Sequence, residues 1–323
     1  MKKWLSGVIS LSLCASLLTG CSFASSSSSE TGGTASEAAG QKLNVYTSFY
    51  TMYDFAGKIG GDKITVTNLV PPGTEPHDWE PTPNDIVGLE KADVFVYNGA
   101  GMEHWVDGVL NSLQNKDLVT VEASHGISLL EGHSHDEDEA EHEEEEEAHS
   151  TDPHVWLSPV NAKKEMESIK SALVQADPDN KDYYEANYAK YAEEADKLDQ
   201  EWKDMTASLK NKDLIVAHQA FGYLCQTYGL NQVAIEGLSP DSEPDAARMA
   251  EIIEFAKERK INTIFFEELV NPKVAETIAK ATGAKTAVLS PIEGLSEESQ
   301  NAGDEYFSIM RKNLQAVKDA DIS

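Results

Sequence analysis

Five histidines stand among carboxylates in HSHDEDEAEHEEEEEAHSTDPHVW, which runs from His133 to Trp156. Imidazole is the commonest side-chain metal ligand, and His-rich tracts are a metal-binding composition. A block of like charge alone reads as a solvated, self-repelling segment. The tract therefore divides. His133, His135, His142 and His149 lie within the acidic run, whereas His154 lies beyond it in DPHVWLSP, between Pro153 and Pro159. Three more residues pair a ligand type with a rigid setting, as a metal site requires. His77 is central to VPPGTEPHDWEPTPND, braced by Pro71, Pro72, Pro76, Pro81 and Pro83. His218 follows the apolar run DLIVA, and Glu293 follows Pro291 in VLSPIEGLS. Glu267 and Glu268 in FFEEL compete with Glu293 as the carboxylate. His104 and His125 read as ordinary surface or structural residues.

The elements that must position these side chains follow an α/β script. KLNVY reads as a buried strand, and the helical pattern after it is closed by Gly60 and Gly61. KITVTNLV, NDIVGLEKA and DVFVYNG continue as strand, helix and strand. The script returns from DLIVAHQAFGYLCQTYGL onward, with Val45 aligned on Val216 and Glu75-Pro76 on Glu243-Pro244. Strands alternating with helices predict parallel sheets. Two similar lobes are expected, at residues 42–130 and 213–323, with the acidic His-rich loop at 131–153 and a connector at 154–212. The connector opens with Ser158 as N-cap and Pro159 in the first turn. Its second helix carries an apolar stripe of Tyr191, Ala195, Leu198, Trp202, Met205 and Leu209, the pattern of a core-packing helix. Such a helix, bridging two lobes, resists hinge motion. In open α/β sheets ligands sit beyond the carboxyl ends of the strands, and with two lobes the natural site is the cleft between them.

The whole chain bounds what the site can serve. It has 323 residues, 40% of them hydrophobic, and a formal net charge of -30. That balance argues against nucleic acid and against charge-driven binding to an anionic membrane, and it is compatible with cationic ligands. Lys2 and Lys3 precede an apolar stretch from Trp4 to Leu18, too short to span a bilayer, so residues 1–20 read as a signal peptide. It ends in LLTGC, which looks like a bacterial lipobox and implies cleavage before Cys21 and lipidation of its thiol. Residues 21–41, rich in Ser, Gly and Ala, read as a flexible tether with a reach of about 25 Å. Two acyl chains anchor stably where one does not. The lipobox with its long tether suggests a Gram-positive cell surface, on the outer face of the cytoplasmic membrane. Cys14 leaves with the leader, so Cys225 has no disulfide partner and reads as a small core residue.

PPGTEPHDWEPTP, DPHVWLSP, AHQAFGYL and SPIEGL, in that order, resemble the metal-binding lipoproteins of zinc and manganese ABC importers. The likeness covers nearly all of the chain after the tether. It implies two lobes joined by a long backbone helix, one metal buried between them, and no catalysis. Carried over by position, the ligands are His77, His154, His218 and Glu293. The manganese branch typically has a carboxylate where His218 stands and an Asp at the last position. Three imidazoles and one carboxylate oxygen suit tetrahedral Zn(II), whereas manganese prefers oxygen-rich, higher-coordinate sites. The expectation is a monomeric lipoprotein that captures Zn(II) at one tight site and hands it to a transmembrane permease. His133, His135, His142 and His149 would add weak sites on a capture loop. Binding should weaken on acidification, because neutral imidazole is the ligating form. The rivals are a manganese-binding homologue, a surface adhesin, and a zinc hydrolase in which Glu293 is a general base; no HExxH motif supports the last.

Overall fold

The computed structural model describes residues 42–132, 151–240 and 244–322. The leader, Cys21, the tether, His133, His135, His142, His149 and Glu243 lie outside the described residues. The first lobe runs β1 (Leu43–Thr47), α1 (Tyr50–Gly60), β2 (Ile64–Asn68), α2 (Pro83–Leu89), β3 (Val94–Tyr97), α3 (Val106–Ser112) and β4 (Val119–Glu122). Then come α4 (Pro159–Ala176) and α5 (Lys181–Ala207). The second lobe runs β5 (Asp213–Val216), α6 (Gly222–Tyr228), β6 (Asn231–Ala234), α7 (Ala246–Arg259), β7 (Thr263–Phe266), α8 (Lys273–Thr282), β8 (Lys285–Val288), α9 (Glu297–Ala302) and α10 (Tyr306–Ile322).

Each lobe holds a four-stranded parallel sheet, ordered β2-β1-β3-β4 in the first and β6-β5-β7-β8 in the second. Burial follows that order. The inner strands β3, β5 and β7 are buried along most of their length, while the edges β2 and β8 expose residues such as Thr65, Thr67, Lys285 and Thr286. Strands covered on both faces read as unbroken apolar runs, and edge strands do not. The internal repeat is real at the level of topology, but its register differs from the sequence alignment. Leu69 N–H donates to the Thr47 carbonyl as Ile235 N–H does to that of Val216, so Thr47, not Val45, is the counterpart of Val216. His218 thus occupies the place that Phe49 holds in the first lobe.

The helix starts are written locally. Thr82 and Asp85 form a reciprocal capping box at α2, with Pro83 inside the first turn. Ser158 sits at the N-cap of α4 as expected, but its side chain makes no cap bond. Its oxygen instead accepts from the Thr227 hydroxyl at 3.0 Å, tying α4 to α6.

One hydrophobic cluster runs through both lobes, from Val45, Phe49 and Val96 through Trp156 and Trp202 to Val216, Phe265 and Tyr306. Helix α5, 27 residues and so about 40 Å long, contributes Ala195, Leu198, Trp202 and Met205 to that cluster, with Tyr191 and Leu209 half-buried beside it. It touches α1 of the first lobe and α6 and α10 of the second. Fully buried Trp156 packs at a tilt with its ring centroid 5.0 Å from that of Phe49, donates its indole N–H to the Pro291 carbonyl at 2.7 Å, and its own carbonyl accepts from Tyr306 Oη at 2.7 Å. Opening the lobes as rigid bodies would tear this shared core, so motion has to be local.

Glu165, on α4, is fully buried, and neither carboxylate oxygen has a hydrogen-bond partner among the described residues. Burial, reinforced by nearby Glu103, pushes its carboxyl well above the usual range. Burial likewise pushes Glu103 up to about 7, against the backbone N–H groups of Asn98 and Gly99 that donate to it. The folded chain holds these protons more tightly than the unfolded chain. Their contribution is complete below the ordinary value of 4.5 and drains away as pH rises, that of Glu103 being gone above about 7. Glu165→Gln carries no such proton. In metal-free urea denaturation, the stability of Glu165→Gln minus that of wild type should grow by about 1–3 kcal/mol between about pH 5 and about pH 8. A flat difference would mean that Glu165 is not held protonated.

Candidate metal centre

His154 precedes a 3-10 turn, Val155–Leu157, that leads into α4. Its Nδ1 lies 2.8 Å from Asp152 Oδ1, which also accepts from the His154 backbone N–H at 2.9 Å. His218 lies just beyond β5, with Nδ1 2.6 Å from Glu267 Oε1, at the end of β7. In both rings a carboxylate is placed to accept a hydrogen bond from Nδ1–H, which leaves Nε2 facing inward and raises its basicity. His77 comes from the proline-braced loop. Its backbone N–H donates to Glu75 Oε2 at 3.0 Å, and Trp79, two residues on, packs 5.5 Å from Trp105. Glu293 lies in the loop between β8 and α9. There Ile292 has φ +61°, a region a β-branched residue avoids, at a cost of about 1–3 kcal/mol. Thr51 Oγ1 donating to the Ile292 carbonyl, Trp156 Nε1 donating to that of Pro291, and Asn313 bonding both backbone groups of Ser290 hold it there.

His77, His154, His218 and Glu293 offer four ligand atoms within 4.8 Å of one another. His154 Nε2 is 3.2 Å from Nε2 of His77 and 3.2 Å from Nε2 of His218. Glu293 Oε1 is 3.4, 3.0 and 3.4 Å from Nε2 of His77, His154 and His218. Zinc bonds of about 2.0–2.1 Å in a tetrahedron require ligand–ligand edges of about 3.3 Å. These five edges match that figure, so the group fits a zinc site. His154 and His218 are fully buried, Glu293 is 4% exposed and the His77 side chain 10%. Burial pulls the His218 imidazole down, but Glu267 and Glu293 outweigh it and hold it well above the ordinary value; His154 is raised in the same way by Asp152 and Glu293. Burial pushes Glu293 up, yet His218 and His77 bring it well below the carboxylate range.

All four candidates chosen from the sequence thus converge. Glu267 is not a rival ligand but the partner of His218, and Glu268 Oε2 accepts from Ser299 Oγ at 3.3 Å. Asp152 was visible only as the residue two before His154 in DPH, with nothing to mark its role. His104 is exposed, its Nε2 3.6 Å from Glu80 Oε1, and His125 is exposed as well. Cys225 is free and buried, its thiol pushed up to about 12 by burial.

The family model described as zinc-uptake complex component A, periplasmic, matches residues 45–320. The chain belongs to this family. It is 48% identical over 319 residues to the high-affinity zinc uptake system protein ZnuA of Bacillus subtilis, covering 99% of this chain and 98% of that one. It is 42% identical over 307 residues to the zinc-binding lipoprotein AdcA of Streptococcus pneumoniae, covering 95% of this chain and 59% of that longer protein. The Zn(II)-bound ZnuA-like domain of that AdcA superposes with a TM-score of 0.75 at 41% identity, over 88% of this chain and all of that one. The laminin-binding protein Lmb of Streptococcus agalactiae, described as having adhesin and metal transporting activity, aligns with a TM-score of 0.76 at 33% identity, over 87% of this chain and 99% of that one.

The hydrogen bonds behind the rings should be measurable as affinity. Glu267→Gln should weaken zinc binding about 10–100-fold in a competitive chelator titration, with the fold intact by circular dichroism. His218→Ala should weaken it more. Equal, negligible effects of both would mean that the metal sits elsewhere.

Proposed function

We propose that this chain is the extracytoplasmic zinc receptor of an ABC importer, and that His77, His154, His218 and Glu293 are the ligands of its one tight Zn(II) site. The observation that carries the reading is that five of the six distances among three imidazole nitrogens and one carboxylate oxygen are 3.0–3.4 Å, in a group buried at the junction of both lobes. The receptor captures the ion outside the membrane, and a permease subunit receives it. Lipidation of Cys21 would hold the chain to the outer face of the cytoplasmic membrane, its tether giving the range to reach the permease.

The same edges weigh against the rivals. In a zinc hydrolase the fourth position is open and a base stands off from the metal. Here Glu293 Oε1 approaches all three imidazoles as closely as a fourth ligand must. Manganese favours oxygen-rich surroundings, and three of these four donors are nitrogen. The adhesin reading rests on likeness to laminin-binding relatives such as Lmb.

The His-rich tract is attached beside the site. Glu131 and Thr151 form an antiparallel bridge, and Asp152 N–H donates to the Leu130 carbonyl at 2.9 Å. The segment between leaves and returns next to Asp152 and His154. The carboxylates of the tract would raise the local concentration of divalent cations, an effect limited to about 8 Å at physiological salt, and His133, His135, His142 and His149 would capture zinc weakly.

Calorimetric titration of the chain lacking residues 131–149 separates the two parts. One tight zinc site per chain should remain, with manganese bound at least about 100-fold more weakly. Loss of the tight site would place the metal on the tract, and equal affinity for manganese would remove the selectivity.

A further inference from the structure

Glu293 is among the residues that line a cavity of about 480 Å³ between the first-lobe residues Tyr50, Pro71 and Pro72 and the second-lobe residues Leu295 and Gln300. A second cavity touches Glu293 from the side of Glu75, Glu267 and Ser290, but measures about 10 Å³. A single water needs about 10–15 Å³ in that measure, so the second space holds one molecule at most. The first has room for an ion with its hydration shell. Of the four candidate ligands only Glu293 lines it, and a carboxylate, the hardest of the four donors, suits first contact with a hydrated cation.

We infer that the metal ion enters and leaves its site through the cavity between α1 and the loop carrying Glu293. This inference rests on the zinc-receptor reading. The second-lobe wall belongs to the loop carrying Glu293, which is strained at Ile292 and latched to α1 by the Thr51 hydroxyl and to α9 by Gln300 Nε2, which donates to the Leu295 carbonyl at 3.0 Å. The flanking acids are already balanced. Asp54 pairs with Lys58 at 2.6 Å and Asp304 with Lys312 at 2.5 Å. With those two acids paired, Glu293 is the carboxylate at the inner end, faced by the imidazoles of His77, His154 and His218. Gln300, Pro71 and Pro72 are exposed, so the mouth faces solvent.

A plug in a passage slows both directions equally and leaves the equilibrium alone. Gln300→Trp and, from the opposite wall, Pro72→Trp fill the cavity without touching a ligand. Zinc transfer to and from a fluorescent chelator by stopped flow gives both rates on the full mature chain. Each variant should lower association and dissociation by the same factor, about tenfold or more, with the dissociation constant unchanged. Gln300→Ala, which loses the same hydrogen bond but adds no bulk, should slow neither. Unchanged rates in both tryptophan variants would overturn the inference and point to a route past His77, the most exposed of the four side chains. A loss of affinity with dissociation unchanged would overturn it too, because the plug would then be acting on the site. Failure of the wild-type chain to bind zinc tightly would instead sink the receptor reading itself, so the two failures are distinguishable.

Discussion

Imidazole nitrogens whose lone pairs converge to 3.2 Å, with a carboxylate oxygen among them and almost no water, repel unless a positive charge stands between them. Without a metal, the neighbouring carboxylates hold His154 and His218 above the ordinary imidazole value, and the imidazoles hold Glu293 below the carboxylate range. With a metal, the ion supplies the positive charge. The fold's task is to make this arrangement tolerable while admitting one cation. Asp152 and Glu267 do so from behind the rings. Each fixes a tautomer and compensates charge, so that the donors are set before the ligand arrives and little ordering is left to oppose binding.

Preorganisation of this kind needs lobes that do not drift apart. The continuous core, the long helix α5 and the bonds of Trp156 to both lobes supply it. They also remove the usual means of release, a wide hinge. What is left is the Glu293 loop, which stores backbone strain at Ile292 and is fastened by a few hydrogen bonds from Thr51, Trp156 and Asn313. Under the proposed function, the ion would leave through small movements of the Glu293 loop, not by separation of the lobes. The strained residue lies beside the only carboxylate ligand, which is the bond a competing proton or partner can most readily weaken.

Much of this was legible in the sequence, because strand ends, proline-braced loops and ligand residue types are all local features. The alternation of apolar runs and helical patterns yields two parallel sheets, and the four candidate ligands lie where their local settings imply. The finer register was not legible. Val45 and Val216 look alike as sequence, yet hydrogen bonding makes Thr47 the counterpart, because short apolar strands slide past one another in an alignment at little cost in similarity. Nor were the roles of Asp152 and Glu267. A carboxylate that ligates and one that supports a ligand are the same side chain, and only its distance from Nδ1 or Nε2 tells them apart. The unpartnered Glu165 was hidden for a related reason: on an otherwise amphipathic helix a glutamate reads as solvated, and its burial depends on what packs above it.

X-ray absorption at the zinc edge, on the chain lacking residues 131–149 and loaded with one equivalent of zinc, tests the central claim most directly. Four nitrogen or oxygen neighbours at about 2.0 Å, with the outer-shell scattering of three imidazoles, are predicted. A six-oxygen shell, or fewer than three imidazoles, would contradict the account.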